Sequence, residues 1–170
     1  MAAMDEDLSR LAQHVGDALL RHRLVLVTAE SCTGGGVAAA VTSVAGSSAW
    51  FERGFVTYSN AAKRELLDVQ EATLLAHGAV SEATVREMAA GALRHSAAQV
   101  AVAVSGIAGP GGGSPDKPVG MVCLAWGGAG APVRSVTRHF QGDRAAVRHQ
   151  AVAAALAGVV EFVGQRHGKV

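Results

Sequence analysis

Two stretches of this chain are almost free of polar side chains: Leu24-Val25-Leu26-Val27-Thr28 and Gln99-Val100-Ala101-Val102-Ala103-Val104-Ser105. A half-exposed strand alternates apolar and polar residues, whereas a continuous apolar run marks a strand covered on both faces. Such strands need helices on each side of the sheet. Each run also opens into small and hydroxyl-bearing residues. The first leads into Thr28-Ala29-Glu30-Ser31-Cys32-Thr33-Gly34-Gly35-Gly36, the second into the irregular segment from Gly106 to Gly120. In open α/β sheets, ligands sit at the carboxyl ends of strands. The same two features therefore set the architecture and point to the sheet end where chemistry is expected.

The covering helices are legible from spacing. Leu8, Leu11, Val15 and Leu19 recur at helical intervals, which predicts an amphipathic helix over 5–22, with Asp5, Glu6 and Asp7 at its positive end. A helix is expected over 37–44. Ser59-Asn60 reads as a helix start with Lys63 in the first turn, and one or two short helices follow over 65–77. Ser81 begins another helix, ending near His95. A last helix, opened by Gln141-Gly142-Asp143-Arg144, runs to near Gln165 before a polar tail, Arg166 to Val170. Phe55–Tyr58, Met121–Trp126 and Pro132–Phe140 read as further strands. The last two form a β-hairpin across Gly127–Ala131, and Pro132 marks a sheet edge. The prediction is a three-layer α/β/α single domain over residues 1–170, with a mixed, mostly parallel sheet and a C-terminal β-hairpin.

Composition narrows the function. At 170 residues the chain has the size of one domain, and with 49% hydrophobic but only 4% aromatic residues its core is built from Ala, Val and Leu. A formal net charge of +1 gives no basic field for nucleic acid. No apolar run reaches the roughly 18 residues of a membrane span, and the acidic start, Met1 to Arg10, is unlike a signal peptide. Cys32 and Cys123 are isolated, with no zinc or redox spacing, as in a reducing, cytoplasmic compartment. The seven His show no ligand spacing, so nothing asks for a metal.

Four groups of residues carry possible chemistry. Ser47 and Ser48 precede the 55–58 strand, Tyr58 ends it and Lys63 follows it. A lysine-activated serine is a known variant of the serine–base pair, but the fold would have to carry Ser48 back over Lys63; an ordinary capped turn is the alternative. Ser31 stands at the end of a buried strand, where it either does chemistry or, with Thr33, caps the next helix. The 106–120 loop matches neither a Walker A loop nor a GxGxxG fingerprint. Its amides can form an anion nest with Lys117 nearby, or it is simply an exposed loop. Arg144 and Arg148 lie on one face of the last helix, near its positive end, where they make sense beside an anion or paired with Asp143.

Together, several motifs resemble one family. They are Thr28-Ala29-Glu30-Ser31-Cys32-Thr33-Gly34-Gly35, Gly46-Ser47-Ser48-Ala49-Trp50-Phe51, and Gly54-Phe55-Val56-Thr57-Tyr58-Ser59-Asn60 with Lys63. Further on come His77-Gly78-Ala79-Val80-Ser81, Ser105-Gly106-Ile107-Ala108-Gly109-Pro110, Lys117-Pro118-Val119-Gly120, and Gly142-Asp143-Arg144 with Arg148. In this order they resemble the C-terminal domain of the competence/damage-inducible protein A (CinA) family, whose stand-alone form is a nicotinamide-nucleotide amidohydrolase. The nucleotide pyrophosphatase domain of longer CinA proteins has no counterpart here.

The resemblance implies hydrolysis of the carboxamide of nicotinamide mononucleotide to nicotinic acid mononucleotide and ammonia, a step in NAD recycling. It implies no metal or organic cofactor, a small-molecule pyridine nucleotide as partner, no nucleic acid or membrane partner, and a homo-oligomer. Competence and DNA damage belong to the family's name more than to its chemistry. On this reading Ser48 is the nucleophile and Lys63 its base, with Ser31 the second choice; otherwise Ser31 binds the carboxamide or holds Lys63. Lys63 would need its pKa lowered from about 10.4 by burial or a nearby arginine. Tyr58 relays the proton or steadies Lys63. Gly34-Gly35 and Gly106-Ile107 are the candidate oxyanion amides, with Thr33 beside them at the substrate. Arg144 or Arg148, Ser105 and the Gly109–Gly113 loop, including Gly109 and Gly111, hold the phosphate. Where this chain has Ser105, the family commonly has Thr, which keeps the hydroxyl. Asp116, Glu30 and Glu52 are alternative acid–base carboxylates, although Glu30 is better placed to orient the Ser31 turn. A catalytically silent nucleotide-binding module would keep the glycine loop and arginines without needing Lys63 near a serine. A protein-interaction domain would show a broad apolar surface and no pocket.

Overall fold

The computed structural model describes residues 2–167. In chain order the elements are α1 (Ala2–His22), β1 (Leu26–Glu30), α2 (Gly36–Thr42), β2 (Phe51–Val56), α3 (Asn60–Leu67), α4 (Glu71–His77), α5 (Glu82–Arg94), β3 (Val100–Gly106), β4 (Met121–Gly128), β5 (Ala131–His139) and α6 (Arg144–His167). A 3-10 turn, Ser47–Ala49, precedes β2. The five strands form one sheet in the order β2-β1-β3-β4-β5. β1 pairs in parallel with β2 and β3, and β4 runs antiparallel to β3 and β5. Four strands thus share a direction and only β4 opposes them. This is the expected mixed α/β sheet with its hairpin.

The two apolar runs occupy the centre of the sheet because their side chains feed two cores. Leu26, Val100, Val102 and Val104 pack toward α1, α2 and α6. Val27, Ala29, Ala101 and Ala103 pack toward α3 and α5. The second face is lined mostly by alanines, which lets α5 lie close to the sheet. α5 also approaches α3 closely: a Cβ added at Gly91 would stand 1.8 Å from the Leu67 carbonyl oxygen. α6 is long and apolar enough, by length and composition, to cross a membrane. Here its apolar face is a core face: Val147, Ala151, Ala155, Leu156 and Val159 are fully buried.

Some boundaries differ from the sequence expectation. β2 starts at Phe51, four residues before the expected Phe55, and Thr57 and Tyr58 lie beyond its end. Its extension is set by the neighbouring strand, since Leu26 to Glu30 pair with Phe51 to Val56. α6 continues through Arg166 to His167, where a polar tail was expected; residues 168–170 lie outside the described residues.

Candidate active site

The site is built where β1, β2 and β3 end together. The Ser31 N–H donates to the Val104 carbonyl at 2.9 Å, extending the β1–β3 ladder one residue past the strand. On the other side, the Thr57 N–H donates to the Glu30 carbonyl at 2.8 Å. Ser59 then caps α3, its hydroxyl accepting from the Ala62 N–H at 3.0 Å. This sharp restart turns the first turn of α3 back over the sheet end and brings Lys63 with it.

Lys63 Nζ lies 3.0 Å from Ser31 Oγ, 2.7 Å from the Thr57 carbonyl oxygen and 3.3 Å from the Tyr58 carbonyl oxygen. The side chain is only 1% exposed, and burial pulls its pKa down from 10.5 to about 8. A neutral amine has two N–H donors and one lone pair. Two of its three neighbours are carbonyls, which can only accept. Of these three partners only Ser31 has a proton to give, so the lone pair is left for it. The packing that makes deprotonation accessible also aims the resulting base at Ser31.

The turn that carries Ser31 is anchored from both sides. The buried Glu30 carboxylate accepts from Thr33 Oγ1 at 2.6 Å, the Val37 N–H at 2.8 Å and the Ala38 N–H at 3.1 Å, so it binds the turn to the start of α2. Gly34 (φ 59°) and Gly35 (φ 98°) take successive left-handed conformations that a side chain would strain. Arg148 reaches in from α6, its Nε donating to the Cys32 carbonyl at 3.1 Å and its Nη2 to the Thr33 carbonyl at 3.2 Å.

A cavity of about 190 Å³ opens on this pair, lined by Ser31, Cys32, Tyr58, Lys63, Ser105 and Arg144 among others. It adjoins a wider mouth of about 680 Å³ through the shared residues Ala108 and Arg144; Pro110, Val119, Asp143 and Arg148 complete much of that mouth. Arg144 spans the two, its Nη1 donating to the Gly109 carbonyl at 2.8 Å and its Nη2 lying 3.4 Å from the Tyr58 hydroxyl. Cys32 lines the inner cavity, but burial pushes its thiol up to about 11, so it stays protonated. A separate depression of about 600 Å³ beside α3 and α4, lined by Arg64, Asp68 and Glu71, lacks Lys63 and the serines. No cluster of three or more His, Cys, Asp or Glu able to hold a metal occurs among the described residues.

The model of the CinA C-terminal domain matches residues 8–163. The chain belongs to this family. Nicotinamide-nucleotide amidohydrolase PncC of Escherichia coli (strain K12) is 56% identical over 154 residues, spanning 89% of this chain and 92% of that protein. PncC of Pseudomonas putida is 54% identical over 157 residues, spanning 92% of this chain and 98% of its own. The crystal structure of competence/damage inducible protein CihA from Agrobacterium tumefaciens superposes with a TM-score of 0.89 at 46% identity, covering 92% of this chain and 95% of that one.

Within this CinA-family domain, the expected site residues separate into two sets. Ser31, Lys63, Tyr58, Ser105, Gly106, Arg144 and Arg148 meet at the cavity and its mouth. Ser48 does not meet Lys63. It is exposed in the 3-10 turn before β2, and Lys63 follows the other end of that strand. Six strand residues lie between the two ends, on the order of 20 Å. Two expected oxyanion amides are already used: the Gly34 N–H donates to the Ser31 carbonyl at 3.0 Å and the Ile107 N–H to the Met121 carbonyl at 2.9 Å. Among the described residues, no oxygen accepts from the Cys32 or Thr33 N–H, and sequence reading missed both. Their place directly after a strand-end serine was the signal available.

Tyr58 turns its hydroxyl toward Arg144, with only its carbonyl on Lys63. Ser105 donates to the Ala79 carbonyl at 2.8 Å. Gly109 contributes a carbonyl to Arg144, whereas Gly111 is exposed and lines neither cavity. Lys117 is engaged by the His77 carbonyl. Asp143 caps α6, accepting from the Ala146 N–H at 2.9 Å, and pairs with neither arginine. Glu52 is held by Arg53 on the surface.

Proposed function

We propose that this chain hydrolyses the carboxamide of nicotinamide mononucleotide, with Ser31 as nucleophile and Lys63 as general base and acid. The observation carrying the reading is the buried Lys63 Nζ placed 3.0 Å from Ser31 Oγ. The substrate follows from the relatives named nicotinamide-nucleotide amidohydrolase. Neutral Lys63 takes the Ser31 proton as Oγ attacks the carboxamide carbon. The resulting oxyanion accepts from the Cys32 and Thr33 amides. Lys63 returns the proton to the nitrogen, the C–N bond breaks and ammonia leaves, with the pyridine acyl group esterified to Ser31. Water then attacks the ester while Lys63 takes its proton. Collapse frees the carboxylic acid, which ionises to solvent, and Lys63 passes the first proton back to the Ser31 oxygen.

The inner cavity takes the carboxamide end, and the mouth takes the ribose phosphate against Arg144 and Arg148. Tyr58 forms part of the wall between them. No metal or organic cofactor enters these steps. The reading includes self-association, which light scattering checks. It also includes a reducing, cytoplasmic setting, consistent with two buried free thiols.

Ammonia release from nicotinamide mononucleotide by chelator-treated protein tests the proposal. Wild type should release ammonia. Ser31→Ala should lose at least about a thousandfold in turnover, as expected for removal of a nucleophile. Ser48→Ala should stay near wild type. The reverse pattern would give the attack to Ser48. Absence of release by wild type, with binding intact, would leave a silent nucleotide-binding module.

A further inference from the structure

Arg148 stands between the two halves of the site. One edge of its guanidinium is spent on the turn that follows Ser31, through the Cys32 and Thr33 carbonyls. The same side chain lines the 680 Å³ mouth, and the N–H groups on Nη1 have no acceptor among the described residues. A peptide unit is planar and trans, so a carbonyl and the next N–H point in opposite directions. Holding the Cys32 carbonyl therefore fixes the direction of the Thr33 N–H. Holding the Thr33 carbonyl fixes the Gly34 N–H, which closes the turn onto the Ser31 carbonyl at 3.0 Å. The Thr33 carbonyl also accepts from the Gly36 N–H at 2.9 Å, and Glu30 holds the turn from beneath, so the Cys32–Thr33 peptide is the plane that depends most on Arg148.

We propose that Arg148 is a positioning residue that couples an anion in the mouth to the setting of the Ser31 turn, so that the substrate's phosphate promotes turnover as well as binding. The inference rests on the amidohydrolase reading and deepens it. A phosphate oxygen engaging Nη1 locks the guanidinium, and the locked guanidinium holds the Cys32–Thr33 peptide plane, which orients the Thr33 amide. Binding energy from a remote, non-reacting group is thereby used at the reacting centre. Arg144 contacts the Gly109 carbonyl and the Tyr58 hydroxyl instead, so a lost Arg144 should weaken binding without this effect on the turn. Lysine at position 148 would keep the charge but could not span two carbonyls and an anion with one planar fork.

The test splits the substrate in two: the nucleoside lacking its 5′-phosphate is supplied with or without inorganic phosphate. Wild type should hydrolyse the nucleoside slowly, and phosphate should raise its kcat by about tenfold, within the usual range for coupled sites. In Arg148→Lys the activation should disappear, and the loss on the intact mononucleotide should fall on kcat more than on KM. A melting temperature close to wild type would show that the variant is folded. Should the variant not fold, phosphate should still activate wild type, and Arg144→Lys should retain that activation at a higher phosphate concentration; its loss in Arg144→Lys would move the coupling from Arg148 to Arg144. If wild type turns over the mononucleotide but phosphate leaves nucleoside kcat unchanged, the coupling is wrong and the amidohydrolase reading stands. Equal activation in Arg148→Lys would remove Arg148 from the role. No mononucleotide turnover by wild type would overturn both.

Discussion

A lysine accepts a proton only while it is neutral, and burial brings Lys63 to about 8, within reach of ordinary pH. Turnover should therefore rise with pH and level off above about 8, because the base is the deprotonated form. A kcat/KM profile flat from pH 6 to 9 would remove Lys63 as the base. Stability has the same sign. The folded pKa lies below the unfolded one, so burying the charge is costly below about 8, and the cost fades toward 10.5. Relative to Lys63→Met, wild type should gain stability as pH rises across that window, as thermal melts at pH 7 and pH 10 would show. The sequence placed Lys63 in the first turn of a helix and made the hydroxyls around it visible. It did not reveal which serine Lys63 meets. Ser48 is 15 positions from Lys63 and Ser31 is 32, yet a strand separates the nearer pair and a ladder joins the farther. Nearness in sequence is a poor guide wherever an extended strand intervenes.

Helix α3 carries Lys63 and is backed by α5, and one backbone contact sets how closely the two helices lie. Gly91 is fully buried against the carbonyl of Leu67, a backbone atom that cannot rotate away. Gly91→Ala should push α3 outward, cost about 1–3 kcal/mol as overpacking does, and lower turnover by displacing Lys63. A combined melting and activity assay would show both losses; unchanged activity at lowered stability would mean that α3 yields elsewhere. At this scale the central strands and most helices were readable, because continuous apolar runs and 3.6-residue spacing survive in almost any context. The start of β2 was not. Phe51-Glu52-Arg53-Gly54 is an edge segment with charged, partly exposed side chains, and its extended state comes from pairing with β1. Ladder partners are absent from a local reading of sequence.

The sheet separates two cores, and both tryptophans, Trp50 and Trp126, lie in the one beneath α1, α2 and α6. Each indole sits against a glycine, Gly16 on α1 and Gly158 on α6. Tryptophan fluorescence thus reports one layer, whereas far-UV circular dichroism reports all of them. If the central strands make the layers cooperative, Met88→Ala in the opposite core should lower the midpoint seen by both probes equally, by roughly 2–5 kcal/mol in stability. A shift in circular dichroism alone would mean that the layers unfold separately. The first and last helices carry a further consequence. Their C-terminal ends meet, His22 stacking on His167 with ring centroids 4.8 Å apart. Near its other end, α1 shares a groove with the start of α2, through Asp5, Leu8 and Gly36. The start of α2 directly follows the Ser31 turn. A fusion partner tethered ahead of α1 therefore starts on the side of the Ser31 turn, and one tethered behind α6 on the opposite side. Enzyme anchored to a bead through its carboxyl end should keep its KM, and the same protein anchored through its amino end should have a crowded entrance.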